Sequence, residues 1–132
     1  MLWVSFAWTT PALLAGAKTC TRRDWTTSHA LQFRTGMIVG ALDRNLRRGG
    51  SKIGLIRMST DAYREDISAM PDSDYEAEGF AWLHAHPDQI SQAAHQQFGD
   101  FSRSEFELWR QSRQSPWVVR FEWLGKAKED GP

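Results

Sequence analysis

Cysteine is almost absent from this chain of 132 residues, with Cys20 the single instance. No internal disulfide can brace the fold, and a reducing compartment, the cytoplasm, is expected. Long apolar runs are missing as well. No segment approaches the roughly 20 residues that a membrane-spanning helix needs, so no membrane partner is expected. Residues 1–17 are fairly apolar and close on Ala15-Gly16-Ala17, but no Lys or Arg precedes them and Ser5, Thr9, Thr10 and Pro11 interrupt the run. That pattern argues against a secretory leader. There is no internal repeat, low-complexity tract, Gly-rich phosphate loop, Ser-His-Asp pattern or zinc motif, so the chemistries those signatures carry are not expected.

Net charge is also lacking, with 16 Lys/Arg against 16 Asp/Glu. The balance hides an asymmetry. Residues 1–66 carry ten Lys/Arg and five Asp/Glu, for a net +5, and residues 67–132 carry six and eleven, for a net −5. The basic half, with Arg22, Arg23, Arg34, Arg44, Arg47, Arg48, Lys52 and Arg57, permits a positive face for an anionic ligand as well as an ordinary solvated surface.

What is present fits one globular domain. The length suits a single core without metal or disulfide, and 41% of residues are apolar and 12% aromatic, including seven tryptophans. A domain over residues 1–125 and a disordered polar tail over 126–132 are expected. Leu2 to Phe6 reads as a short buried strand. Thr9 or Thr10 caps a helix with Pro11 in its first turn and Gly16 at its stop. Lys18 to Trp25 reads as extended and 26–35 as loop. Gly36–Leu42 and Lys52–Ser59 read as strands of a hairpin around Arg47-Arg48-Gly49-Gly50. Ser73-Asp74-Tyr75-Glu76 has capping-box spacing for a helix that Gly79 ends, and 88–98 and 102–113 show further helical patterns. Trp117–Leu124 is the clearest strand, with Trp117, Val119, Phe121 and Trp123 alternating onto one face. Strand, helix, strands, helices, strand is the order of an α+β fold, a small mixed β-barrel with peripheral helices, rather than of alternating β-α units.

Lys18-Thr19-Cys20-Thr21-Arg22-Arg23 concentrates an amine, two hydroxyls, a thiol and two guanidiniums just after the helix stop. A threonine hydroxyl becomes a nucleophile only when a base takes its proton. Lysine can be that base if burial or neighbouring cations lower its pKa, a task for Arg22 and Arg23. A carboxyl group must then hold the lysine or protonate a leaving group, and Glu76 and Glu78 are the candidates, with Glu78 nearer the helix end. Residues three apart on a regular strand face opposite sides, so Lys18 and Thr21 converge only if Lys18 sits in the turn before the strand or a bulge intervenes. Backbone N–H groups at the Gly16 turn are candidate oxyanion donors.

Other constellations are blander. His84-x-His86 with His95 lacks the partners of a metal centre, so no metal is expected. Cys20 has no partner histidine and reads as a packed thiol. Trp3, Phe6, Trp117, Phe121 and Trp123 read as core, whereas Trp8 and Trp25 flank the Lys18–Arg23 stretch and are candidates to stack on a base.

Three segments resemble the ASCH family of the PUA-like superfamily. Ser5-Phe6 with Leu14–Arg23 resembles its opening strand, helix and G-x-K-x-x-x-R signature. Phe33-Arg34-Thr35-Gly36 resembles the turn into the next strand, and Trp117–Trp123 the closing strand. The resemblance implies a β-barrel with a cleft for nucleic acid or a nucleoside. Some members are amidohydrolases that deacylate N(4)-acetylcytidine with a lysine, a threonine and a glutamate, which fall on Lys18, Thr21 and Glu78. Others are thought to bind RNA, some with ribonuclease activity. Two features depart from the family: Met37 where an acidic residue is common, and a longer Arg44–Lys52 loop and 81–113 region. The expectation is a cofactor-free amidohydrolase with a nucleoside substrate, Arg22, Arg23, Trp8 and Trp25 contacting the ligand, or alternatively an RNA-binding module.

Overall fold

The structure is a computed structural model that describes residues 1–126. Six strands form a strongly curled sheet, β1 (Trp3–Ser5), β2 (Cys20–Arg23), β3 (Ile38–Leu42), β4 (Lys52–Met58), β5 (Tyr63–Arg64) and β6 (Trp117–Lys126), in the order β1-β3-β4-β6-β2 with β5 also paired to β6. The fold is α+β, a half-closed mixed barrel with helices around it.

The long strand β6 organises the sheet. Its first half pairs antiparallel with β2 (Thr21 opposite Val119) and with β5, and its second half pairs with β4 (Met58 opposite Phe121). Its period-2 pattern places Trp117, Val119 and Phe121 in one core with Val4, Phe6, Val39, Ile56 and Met58. The hairpin of β3 and β4 forms at the Arg-Arg-Gly-Gly turn, and β1 adds in parallel to β3. Across the open seam between β1 and β2, the Arg23 guanidinium donates to the Ser5 carbonyl.

The helices are α1 (Thr10–Leu14), α2 (Thr27–Ala30), α3 (Asp74–Ala77), α4 (Phe80–Ala85), α5 (Gln92–Phe98) and α6 (Arg103–Arg110). Between them lies a second core, built on Phe80, Leu83, Tyr75, Phe101 and Phe106.

Several local expectations are corrected. Residues 26–35 hold α2, because Thr26 Oγ1 accepts the His29 N–H and caps a helical turn. No side-chain cap forms at α1, where Thr9 Oγ1 donates to the Phe6 carbonyl instead. The capping box at Ser73 and Glu76 does not form either. Ser73 already has helical dihedrals (φ −63°, ψ −16°), which aims its hydroxyl away from the helix amides. Gly79 (φ +93°) ends α3 as expected, but a further helix, α4, follows it directly, so the glycine also serves as the hinge between the two. The patterns at 88–98 and 102–113 narrow to α5 and α6, which Ser91 and Ser102 cap. β6 extends through Lys126, so that residue is strand rather than tail, and the rest of the expected tail, 127–132, lies outside the described residues.

Candidate active site

Between the two cores lies a cluster of buried polar side chains: Lys18, Thr21, Arg22, Asp74 and Glu78. Burying so many ionisable groups is costly unless each is paired, and the pairing here is dense. A cavity of about 350 Å³ opens beside it, lined in part by Lys18, Thr21, Arg22, Arg23 and Glu78.

Three local features bring these residues together. Gly16, at φ +75°, turns the chain out of α1, so Lys18 precedes β2 rather than lying in it. The strand-parity objection is thereby met by the turn. The Thr19 N–H is tied to the Ala77 carbonyl (2.8 Å) and the Thr19 carbonyl accepts from Phe121 N–H (2.9 Å), which pins this segment between α3 and β6. Gly79 then lets the α3–α4 hinge press against the Lys18 stem. A Cβ at Gly79 would stand 3.6 Å from Lys18 Cβ and 3.0 Å from Ala12 Cβ.

Lys18 Nζ donates to the Glu78 carbonyl (2.7 Å) and lies 3.4 Å from Glu78 Oε1. Burial pulls the Lys18 pKa below the ordinary lysine value, and the Arg23 charge acts in the same direction, while Glu78 opposes them without prevailing. Thr21 Oγ1 has no hydrogen-bond partner among the described residues and borders the cavity, so its hydroxyl is free for a ligand. Glu78 Oε2 accepts from Arg22 Nη1 at 2.6 Å.

Arg22 also borders the cavity, with its guanidinium engaged by carboxylates. Its guanidinium is held by Glu78, by Asp74 (2.7 Å) and by Glu65 (2.9 Å). Burial opposes its charge, but these carboxylates outweigh burial and keep it protonated. Asp74 in turn takes both terminal nitrogens of Arg120 at 2.9 and 2.8 Å, and Arg120 Nε donates to the Tyr63 hydroxyl. Arg23, not Arg22, is the arginine whose charge depresses Lys18. Glu65, Asp74, Arg120 and Tyr63 were missed at the level of sequence. Asp74 stood in an apparent capping motif, and the others carry no local signal.

Much of the remaining cavity lining is aromatic. Trp8, Phe80, Phe98, Phe101 and Trp109 line it, with Phe80 and Trp109 stacked in parallel at 5.4 Å. The long 81–113 region thus supplies a wall of the cavity. Trp8 packs edge-on against Phe98 and borders the cavity. Trp25 does not join it, because it stacks on Phe33 at 4.4 Å and faces a different recess. Ala7 (φ +45°) and Phe101 (φ +60°), the described non-glycine residues with positive φ, both border this cavity, where backbone strain is commonly stored.

At the Gly16 turn most backbone N–H groups are already bonded, that of Lys18 excepted among those recorded. The bonds run from Gly16 to Leu13, Ala17 to Ala12 and Thr19 to Ala77. Cys20 is fully buried, and burial first and Glu78 second push its thiol pKa well up, so it stays protonated. His84 and His86 bond the Asp100 and Trp82 carbonyls, and no cluster of metal-binding side chains occurs among the described residues. No helix among them is long and apolar enough to cross a membrane.

No family model and no curated protein matches the chain. Its fold is similar to that of protein EF3133 from Enterococcus faecalis V583, whose crystal structure carries the family description DUF984. The identity is 15% and the TM-score 0.53, with 99% of this chain and 84% of that one covered. At that identity the likeness is one of fold.

Proposed function

We propose that this protein is an amidohydrolase that cleaves the exocyclic amide of N(4)-acylated cytidine, giving cytidine and a carboxylic acid. The observation that carries the proposal is the buried, pKa-lowered Lys18 sharing one cavity with the free Thr21 hydroxyl and with Glu78. The cavity volume suits a nucleoside, since small-molecule sites run from roughly 300 Å³ upward, and the aromatic wall offers faces on which a base stacks. The resemblance to ASCH amidohydrolases supports the same three residues.

In the proposed reaction Lys18, as the free amine, takes the Thr21 proton while Oγ1 attacks the acyl carbon. The carbon–nitrogen bond breaks and the exocyclic nitrogen leaves with a proton delivered through Lys18 and Glu78. Water then attacks the threonyl ester, returns the Thr21 proton and releases the acid. Arg22 holds the Glu78 carboxylate in place throughout. The reducing cytoplasm is the proposed compartment, in keeping with a lone thiol.

The test follows the ultraviolet band of N(4)-acetylcytidine as it converts to that of cytidine. Lys18→Ala, Thr21→Ala and Glu78→Ala are each expected to cost on the order of 10²-fold or more in kcat. The wild-type rate should rise with pH as Lys18 loses its proton, with a midpoint below the ordinary 10.5. An inert wild type, or full activity in all three variants, overturns the proposal.

A further inference from the structure

Arg23, half-buried at the end of β2, stands apart from the neighbouring cations. Arg22 is met by Glu65, Asp74 and Glu78, Arg120 by Asp74, and Lys18 by Glu78. Arg23 has no carboxylate within ion-pair distance among the described residues. Its recorded bonds go to two backbone carbonyls, those of Arg22 and Ser5. A guanidinium carries five N–H donors, so most of its donor capacity and all of its charge are left without an anionic partner. Burial acts against that charge and lowers its pKa.

Its position gives the unmatched charge a use. Arg23 and Ser5 line both the 350 Å³ cavity and an adjoining recess of about 510 Å³ on the other side of the β1–β2 seam. The recess is also bordered by Trp3, Trp25, Asn45 and Arg47, and no Asp or Glu lines it among the described residues. Two arginines, an amide and two indoles around an acid-free hollow make a setting for a phosphate joined to a sugar, because guanidinium pairs bidentately with phosphate oxygens.

We propose that this recess is a phosphate subsite and that the substrate of the neighbouring cavity is a phosphorylated N(4)-acylcytidine rather than the bare nucleoside. The base and its amide occupy the Lys18–Thr21–Glu78 cavity, and the ribose phosphate reaches past Ser5 to Arg23 and Arg47. The substrate assignment rests on the hydrolase proposal, whereas the anion subsite does not.

The experiment has a binding arm and a turnover arm. Calorimetry compares cytidine with cytidine 5′-monophosphate on wild type, Arg23→Gln and Arg47→Ala. The monophosphate is expected to bind on the order of 10- to 100-fold more tightly, with that ratio falling in both variants. Arg47 lies on an exposed loop, so Arg47→Ala decides the matter if Arg23→Gln fails to fold. The turnover arm compares kcat/KM for N(4)-acetylcytidine, its 5′-monophosphate and a trinucleotide with that base at its centre. A gain confined to the monophosphate identifies a free nucleotide as the phosphate source, and an equal or larger gain for the trinucleotide identifies a chain. Equal binding of cytidine and its monophosphate, or a ratio that neither substitution changes, overturns the subsite. If no substrate turns over while the binding ratio holds, the hydrolase proposal fails and the phosphate subsite stands.

Discussion

Lys18 has no measurable exposure to solvent beyond 1%, and its amine touches a single carboxylate at 3.4 Å. One long ion pair does not repay the desolvation of an ammonium, which is why burial wins and the pKa falls. The consequence for stability has a definite sign. Between the lowered folded value and 10.5, the native protein holds fewer protons at this position than the unfolded chain, so stability rises with pH. Below that window the lysine is charged in both states and the burial cost is carried in full. Lys18→Met lacks this contribution. Urea denaturation across neutral to alkaline pH is expected to show wild type gaining on the variant as pH rises, and parallel curves would refute the lowered pKa. Residue identity alone gave the candidates Lys18, Thr21 and Glu78. It did not separate Arg22, a clamp on carboxylates, from Arg23, whose charge is unmatched, because adjacent arginines differ only in where β2 points them.

At the scale of elements, the site depends on two turns. Gly16 delivers Lys18 ahead of β2, and Gly79 folds α4 back on α3 so that Glu78 meets the lysine. Gly79→Ala forces an L-residue into φ +93° and sets its Cβ 3.0 Å from that of Ala12. A loss of about 1–3 kcal/mol is expected, read as a lowered Tm, and under the proposed function the rate of N(4)-acetylcytidine hydrolysis falls as Glu78 is displaced. An unchanged Tm would show that the hinge can relax. The strands of the hairpin and β6 were legible, since their apolar runs and alternation act locally. The helix α4 was not. Gly79 looks like a terminator in sequence, and only the burial of Phe80 and Leu83 in the helical core makes the chain resume a helix directly after it.

For the molecule as a whole, Asp74 is the tie between layers. It sits on α3, is 1% exposed, and binds Arg22 of β2 and Arg120 of β6. Removing one partner of a buried ion network costs roughly 3–5 kcal/mol, and Asp74→Asn is expected to lose about that much at neutral pH by urea denaturation. Burial works against the Asp74 carboxylate, but the two arginines overcome it and hold its pKa below the usual 3.8. Its contribution is therefore present above 3.8 and lost as pH falls through the folded value, so the gap between wild type and variant should close in acid. A gap that persists there would show that the loss is one of packing. Composition and periodicity determined the α+β class, the strand-rich first half, the closing strand and the Lys-Thr-Arg stretch, because these follow from patterns within a few residues. Tertiary structure alone decided that Asp74, 52 residues from Arg22, joins that stretch, and that Glu78 rather than Glu76 is the carboxylate beside Lys18. It also decided that aromatic side chains from α4, α5 and α6 wall its cavity. Pairing of buried charges and closure of a cavity depend on which distant segments the two cores bring together, and no local pattern records that.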